Sequence, residues 1–323
     1  MASAASSRIH IRTLRSPFEY WHLLSLDAPT VAVLWAGTLC RAAHAVLDIR
    51  TAVFLALGTW VLYVGDRLLD GLTGTAAREL RERHLFHRQH RLSFLAGLIV
   101  SLLVLIRLGV SMSKPLFRDF LIVLIAALAY FALVHGGFWC RRWLKKELFV
   151  GAIFAAGVAV PAWFQLASAN TAVLVGTHPR PAQAEFASTV AIFASLCWLN
   201  CAAIDGWEQT ESHLEGRTLR SAGKVPPSEL ADQPHKRVRR CTVRMAAAGV
   251  ASAALSLCLF TLERQWVGVG DLGEIQASIA ICAAAWLLFL LDAQRARLTP
   301  MQLRVAADAA LLTPLFFLAT GSL

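Results

Sequence analysis

The sequence predicts an all-α, polytopic membrane protein with about nine transmembrane helices. The first observation is the composition: of 323 residues, 57% are hydrophobic and only 16% are charged, and the mean hydropathy is +0.55. Soluble domains are usually about 45–50% apolar and about 25% charged, so we expect the excess apolar surface to face lipid. The other two observations are a series of apolar segments and an uneven distribution of basic residues between them.

The apolar segments have the length that membrane-spanning helices require. A helix needs roughly 20 residues to cross the hydrocarbon core, where every backbone group must be bonded within the segment. In chain order the predicted spans are residues 21–42, 51–70, 92–112, 117–138, 147–168, 186–206, 243–262, 273–292 and 303–321. We expect them to form a single domain that covers residues 1–323.

Several of these spans contain charged residues well inside their ends or near them. Asp27 and Arg41 lie in the first span, Arg107 in the third and Asp308 in the ninth. A charge inside the bilayer is costly, so such side chains normally lie near a helix end or face a cavity lined by protein. Asp308 is therefore expected either to face such a cavity or to contact Arg304 one turn earlier.

The basic residues indicate the orientation of the chain, since Lys and Arg are enriched in cytoplasmic loops. With residues 1–20 placed in the cytoplasm, 24 of the 31 Lys and Arg residues lie on the cytoplasmic side. We therefore predict a multi-pass protein of the plasma or inner membrane, with its N-terminus cytoplasmic and its C-terminus outside. Two long charged loops, 71–91 and 207–242, follow the second and sixth spans on the cytoplasmic side.

Several other classes of protein are disfavoured. The net charge of +10 would suggest nucleic acid in a soluble protein, but here the basic residues follow the topology, and we expect no nucleic-acid partner. The seven cysteines form no CxxC pair, which argues against a zinc site or a disulfide framework. We find no Walker A, GxGxxG or GxSxG motif, no removable signal peptide and no sign of a protein partner.

The second predicted span ends in an acidic motif, Tyr63-Val-Gly-Asp66-Arg67-Leu-Leu-Asp70-Gly. Asp66 and Asp70 are four residues apart, so their carboxylates share one face of a helix. Carboxylates placed in this way suit Mg²⁺, which takes one or two protein carboxylates and completes its coordination with water and phosphate oxygens. The alternative is a pair of solvated acids at a helix end, with Asp66 paired to a nearby arginine.

The sixth predicted span ends in a second acidic cluster. Asp205, Glu208 and Glu211 follow one another at three-residue steps, and Asn200 precedes them. The alternative interpretation is an amphipathic helix that continues into the loop. Because both acidic clusters lie at helix ends on the predicted cytoplasmic side, the sequence favours a joint metal site.

Basic residues follow the first acidic cluster, and others lie between the two clusters at the start of the fifth span. They are Arg81, Arg83, Arg88 and Arg91 after the second span, and Arg141, Arg142, Lys145 and Lys146 before the fifth. Such residues serve either as topology anchors or as contacts to a diphosphate. His84, His87 and His90 recur at three-residue steps in the first of these regions, where a solvated helix face is favoured over a metal-binding histidine box.

These features resemble those of the UbiA superfamily of intramembrane prenyltransferases. In topology, the resemblance extends over the whole chain. Asp66 and Asp70 match the last two acids of the family motif NDxxDxxxD, whereas Leu62 and Tyr63 replace its Asn-Asp pair. The second motif is similar at Asn200 and, one residue out of place, at Asp205. Lys145 or Lys146 resembles the basic residue at the start of the family's fifth helix, and residues 215–219 resemble its loop after the sixth.

The resemblance implies Mg²⁺-dependent transfer of an isoprenoid from a polyprenyl diphosphate to a hydrophobic acceptor. It also implies a central cavity that is covered by a cytoplasmic cap from loops 71–91 and 207–242. The implied catalytic residues are Asp66, Asp70, Asp205 and Lys146; the metal ligands are Asp66, Asp70, Asp205 and Glu208; and the substrate contacts are Arg67, Lys145, Asn200, Arg88 and Arg91. Trp60, Phe154 and Trp163 are expected to line the path of the isoprenoid tail.

Two rival functions stay open at this point. A transporter or lipid-binding carrier would use the same cavity without chemistry, and its inner acids, Asp308 above all, would couple ions. Charged residues near the membrane midplane would favour a transporter or carrier, whereas the acids of both clusters lie mainly at the ends of predicted helices. The second rival is a catalytically inactive relative that acts as a scaffold.

Overall fold

The computed structural model describes residues 17–73, 86, 89–135, 146–171, 181–221, 236–266 and 272–319. These residues form helices joined by turns, with no β-strand among them. The α-helices are α1 Pro17–Leu23, α2 Asp27–Ala42, α3 Ile49–Thr73, α4 Arg91–Ser111, α5 Lys114–His135, α6 Lys146–Thr171, α7 Pro181–Ser221, α8 Lys236–Trp266, α9 Leu272–Gln294, α10 Pro300–Ala310 and α11 Leu315–Ala319. A 3₁₀ turn, Arg295–Arg297, connects α9 to α10. The predicted all-α class is therefore confirmed.

Within these ranges, seven helices are long and apolar enough to cross a membrane: α3 to α9. The bent pair α1 and α2 passes the same test when its two parts are taken together, which raises the number to eight. The ninth span stays a prediction. Most of loop 71–91 lies outside the described residues, and so do residues 222–235 of loop 207–242, whereas the backbone of residues 207–221 continues α7.

The first predicted span, 21–42, is not one straight helix. The axes of α1 and α2 meet at 90°, and Ser25 between them has a positive φ of 59°. A residue in the left-handed region cannot continue a right-handed α-helix, so the chain turns there. The bend lies against α3, where Trp60 Nε1 donates to the carbonyl of Leu24, directly after α1, at 3.1 Å.

The ninth predicted span, 303–321, is also interrupted. The helix α10 ends at Ala310, residues 311–314 form turns, and α11 begins at Leu315. Pro314 has no backbone N–H and disfavours a helical conformation in the residue before it, which accounts for the break. The turn is tied to the interior by Trp35 Nε1, which donates to the carbonyl of Leu311 at 2.9 Å.

The helix α9 lies in the interior, in contact with α2, α7 and α8. Its buried face consists mainly of small residues: Ala277, Ala280, Ala284 and Ala285 are all fully buried. Gly273 comes so close to α2 that an added Cβ would lie 2.7 Å from the backbone of Arg41. Small residues allow helix backbones to approach closely in membranes, where the hydrophobic effect does not favour one helix contact over another.

The helices α4 and α5 lie at the periphery and have apolar outer surfaces. Leu92, Leu103 and Val110 of α4 are 63–80% exposed, and Ile122 and Ile125 of α5 are 57–59% exposed. Large aliphatic side chains along the outside of long helices are what a lipid environment requires. Together with the seven membrane-capable helices, these surfaces identify an integral multi-pass membrane protein.

Candidate functional site

A cavity of about 570 Å³ opens inside the bundle, between α3, α4, α5, α6, α7 and α10. Its lining is polar at one end and apolar along most of its length. On α3 the lining extends from Phe54 to Arg67, a distance of about 20 Å at the rise of an α-helix. The shape and lining suit a molecule with a charged head and a long apolar tail.

Residues of both acidic clusters line this cavity. Asp66 of α3 and both Asp205 and Glu208 of α7 line it, and Lys146 at the start of α6 lines it as well. The helix α3 is continuous through residue 70, so the predicted common face of Asp66 and Asp70 holds for the backbone. Three of the predicted acids and one predicted cation thus line the same cavity, and their roles stay predictions.

Glu208 has a partner that the sequence did not predict. Arg304 of α10 forms a buried ion pair with Glu208, and both residues line the cavity. The alternative contact of Arg304, with Asp308 one turn later, is replaced by this pair, because Asp308 contacts His22 and Asn200 instead. A carboxylate paired with arginine is less available to a metal ion than an unpaired carboxylate. The same pair places the positive charge of Arg304 at the polar end of the cavity.

Arg67 is buried, and most of its contacts are structural. Its NH1 group donates to the carbonyl of His22 at 2.9 Å and to Ser25 Oγ at 2.6 Å, and its NH2 group lies 3.5 Å from Asp27 Oδ2. Arg67 thus fastens the bend between α1 and α2 to α3. It also lines the cavity, and its predicted role as a substrate contact stays a prediction.

Several predicted site residues lie elsewhere. Lys145, Arg88, His84 and His87 are outside the described residues, and so is the side chain of Asp70. Arg91 is exposed at the start of α4 and is not among the residues that line the cavity. Their predicted roles remain predictions.

The apolar wall includes Phe54, Phe120, Phe131 and Phe154, of which the sequence analysis had named Phe154. The other two named aromatics are not part of this lining. Trp60 packs against Phe94, with ring centroids 6.4 Å apart, and Trp163 is 42% exposed beside Phe186. Aromatic composition alone could not separate cavity-lining residues from outward-facing ones, because the two kinds differ only in the rotation of their helices.

The structure also assembles a buried group that the sequence did not predict, here called the polar cluster: His22, Asp27, Arg67, Asn200 and Asp308. His22 Nδ1 lies 2.8 Å from Asp27 Oδ2 and 3.1 Å from Asp308 Oδ2. Asn200 Nδ2 donates to Asp308 Oδ1 at 3.4 Å. All five residues line the cavity. The one signal in the sequence was that Asp27 and Asp308 are charged residues inside predicted spans.

A second buried carboxylate holds the polar end of the cavity in place. Asp292 of α9 accepts hydrogen bonds from Trp207 Nε1 at 2.9 Å and from Arg244 Nε at 2.8 Å. Trp207 lies between Asp205 and Glu208 on α7, so this contact joins the acidic segment of α7 to α8 and α9.

The comparisons with known proteins agree with this architecture. The structure superposes on the apo structure of a UbiA homolog from Aeropyrum pernix K1 with a TM-score of 0.50 and 15% sequence identity, covering 92% of this chain and 98% of that chain. No protein-family model and no curated protein matches the sequence. The likeness is one of fold: the chain has a UbiA-like fold, as the sequence motifs had indicated.

Proposed function

We propose that this protein is an intramembrane prenyltransferase, which transfers an isoprenoid from a polyprenyl diphosphate to a hydrophobic acceptor. The observation that carries the proposal is the polarity of the cavity. Acids from α3 and α7 open on one end of it, and aromatic and aliphatic side chains line the rest. A polyprenyl diphosphate has the same division between a charged head and an apolar tail. The UbiA-like fold supports this assignment.

The acids proposed as ligands suit Mg²⁺. Asp66, Asp70 and Asp205 would hold the ion, since carboxylates from facing helices supply the hard oxygen ligands that Mg²⁺ prefers. Glu208 was also predicted as a ligand, and its ion pair with Arg304 makes it the weakest member of the set. When bound, the ion would neutralise charge on the diphosphate as the allylic C–O bond breaks.

The remaining roles belong to the side chains of this chain. Lys146 and Arg304 line the polar end and would contact the diphosphate oxygens as they gain negative charge. The aromatic wall would hold the isoprenoid tail in an extended conformation and exclude water from the allylic carbon. Excluding water matters because water would otherwise capture the electrophile before the acceptor does.

The test is binding of labelled polyprenyl diphosphates of several chain lengths to the purified protein, with and without Mg²⁺. We expect Mg²⁺-dependent binding that weakens at least about tenfold in Asp66→Asn, Asp70→Asn and Asp205→Asn, the equivalent of about 1.4 kcal/mol for each lost ligand. Asp119→Asn is the matched control, because Asp119 lies on α5 beside Arg118 and does not line the cavity. Absence of Mg²⁺-dependent binding at every chain length would refute the proposal.

A carrier without chemistry is the second candidate, and the polar cluster is the observation that favours it. Buried ionisable residues inside a membrane domain often couple ions to transport. A carrier would move a labelled polyprenyl diphosphate across a liposome membrane in response to a pH gradient, without release of diphosphate. The prenyltransferase proposal predicts no such movement.

A further inference from the structure

The polar cluster contains two buried atoms that have no hydrogen-bond partner among the described residues. These atoms are His22 Nε2 and Asn200 Oδ1. His22 is 2% exposed and Asn200 is 6% exposed, and both residues line the cavity. A buried polar atom without a partner costs about 1–3 kcal/mol. Two such atoms in one cavity wall therefore indicate that polar groups of a ligand complete their hydrogen bonds.

The other ring nitrogen of His22 is already engaged. Nδ1 faces Asp27 Oδ2 at 2.8 Å and Asp308 Oδ2 at 3.1 Å, and the carbonyl of His22 accepts from Arg67 at 2.9 Å. A carboxylate at Nδ1 fixes the tautomer and orientation of an imidazole and leaves Nε2 to act on a substrate. His22 has this arrangement with two carboxylates in place of one.

The charges of the cluster balance when His22 carries a proton. The charged groups around its ring are Asp27 from α2, Asp308 from α10 and Arg67 from α3, and Tyr63 of α3 lines the same part of the cavity. When both carboxylates are ionised and His22 is neutral, Arg67 compensates only one of the two negative charges. Uptake of one proton at Nε2 removes that imbalance, and an uncompensated charge is costly in a buried site. The cluster is therefore suited to accept one proton.

Along α7 and α10, two members of the polar cluster lie beyond the carboxylate end of the cavity, whereas Arg67 of α3 lies next to Asp66. Asn200 precedes Asp205 by five residues on α7, and Asp308 follows Arg304 by four on α10, so both are displaced by about 6–8 Å along their helix axes. A polyprenyl diphosphate whose head is bound at the carboxylates would have its allylic carbon near the level of Asn200 and Asp308. The second substrate of a transfer reaction has to lie there.

We propose that His22 is the proton acceptor for a hydroxyl-bearing acceptor substrate, with Asp27 and Asp308 as its positioning residues. This inference rests on the proposed function. The acceptor hydroxyl donates to Nε2, and its oxygen forms the new bond to the allylic carbon as the carbon–oxygen bond to the diphosphate breaks. The diphosphate leaves with the electron pair of that bond, and the hydroxyl proton passes to Nε2. Asn200 Oδ1 can only accept, so it takes a hydrogen bond from a second donor group of the same substrate.

The test uses 4-nitrophenol, whose conjugate base is yellow, and the purified full chain at a pH below the probe's own pKa. We expect the wild type to bind the probe with appearance of the nitrophenolate band. 4-Nitroanisole has the same ring but no exchangeable proton, and it should give no band. In His22→Gln, which keeps a hydrogen-bonding side chain but cannot take the proton, the band should fall at least about tenfold, the effect of one pKa unit. His90→Gln, a change at an exposed histidine outside the cavity lining, should leave it unchanged.

Binding of polyprenyl diphosphate with Mg²⁺, measured on the same samples, separates the two proposals. Retained binding in His22→Gln shows that the variant is folded. Wild type that binds diphosphate but gives no nitrophenolate band would overturn the assignment of His22 and leave the proposed function standing. A band without any diphosphate binding would refute the proposed function but not the proton acceptor. If His22→Gln fails to fold, the comparison of 4-nitrophenol with 4-nitroanisole on the wild type still tests the proposal.

Discussion

At the scale of single residues, buried carboxylates connect the helices of this protein. Asp292 receives hydrogen bonds from α7 and α8, while Asp27 and Asp308 bring α2 and α10 to the same histidine. Such groups are stable inside a membrane protein only when neighbouring donors compensate them. The positions of the acidic residues on α7 therefore depend on side chains that are far away in the sequence.

Loss of Asp292 tests this dependence. We expect Asp292→Ala to reduce the free energy of unfolding by about 2 kcal/mol, because Trp207 and Arg244 both lose a buried, charged acceptor. The measurement is reversible unfolding in detergent. The control is Asp119→Ala: its carboxylate pairs with Arg118, which is 70% exposed, and such surface pairs are worth less than about 1 kcal/mol. Equal losses in the two variants would contradict the role given to Asp292.

At the scale of elements, the helices begin and end where local chemistry requires it. Asp48 immediately precedes α3 and caps it: its Oδ1 accepts from the backbone N–H groups of Arg50 and Thr51 at 3.0 and 3.1 Å, and its Oδ2 accepts from the Thr51 hydroxyl at 2.5 Å. Partial burial alone would raise the pKa of Asp48, but these hydrogen bonds outweigh it and hold the pKa below its ordinary value. The cap is thus strongest in its ionised form.

We expect Asp48→Ala to cost about 1 kcal/mol of stability and Asp48→Asn to cost less, since asparagine caps nearly as well as aspartate. The pH dependence has a definite sign. Because the pKa of Asp48 is lowered by folding, its contribution is present above the pKa of the unfolded chain and is lost as the pH falls through the folded value. Thermal unfolding from neutral to acidic pH measures it, and an equal slope for wild type and Asp48→Asn would refute the prediction.

At the scale of the whole molecule, the bundle combines a lipid-exposed exterior with a cavity that is charged at one end. The carboxylates that line this end come from α3 and α7, and the basic residues come from α6 and α10. In the predicted orientation this end faces the cytoplasm, because most Lys and Arg residues are on that side. A polar substrate head would then enter from the cytoplasm.

Cysteine labelling tests the orientation. On a background without the native cysteines, Val46→Cys places a thiol in the connection between α2 and α3, where Val46 is 74% exposed. We expect a membrane-impermeant maleimide to label it on intact cells. His90→Cys, at the exposed start of α4 on the predicted cytoplasmic side, should be labelled only after permeabilisation. The reverse pattern would invert the topology.

The sequence by itself was enough to predict the membrane character, most spans and the two acidic segments, although α7 continues past the second of them to Ser221. These properties are local: a run of apolar residues has to be helical in lipid, and residues four apart on α3 share a face whatever surrounds them. The breaks at Ser25 and Pro314 were missed, because an apolar run predicts the length of a span but not a bend within it. Pro314 was a visible signal, whereas the positive φ of Ser25 was not.

Only the tertiary structure decided which side chains meet. His22 and Asp308 are 286 positions apart, and Arg304 pairs with Glu208 across two helices. Such pairs depend on how far each helix is rotated and at what angle it crosses its neighbours, and these quantities follow from the packing of the whole bundle. Asp27 and Asp308 were recognisable in the sequence as costly charges. The histidine between them became evident only when the helices were packed together.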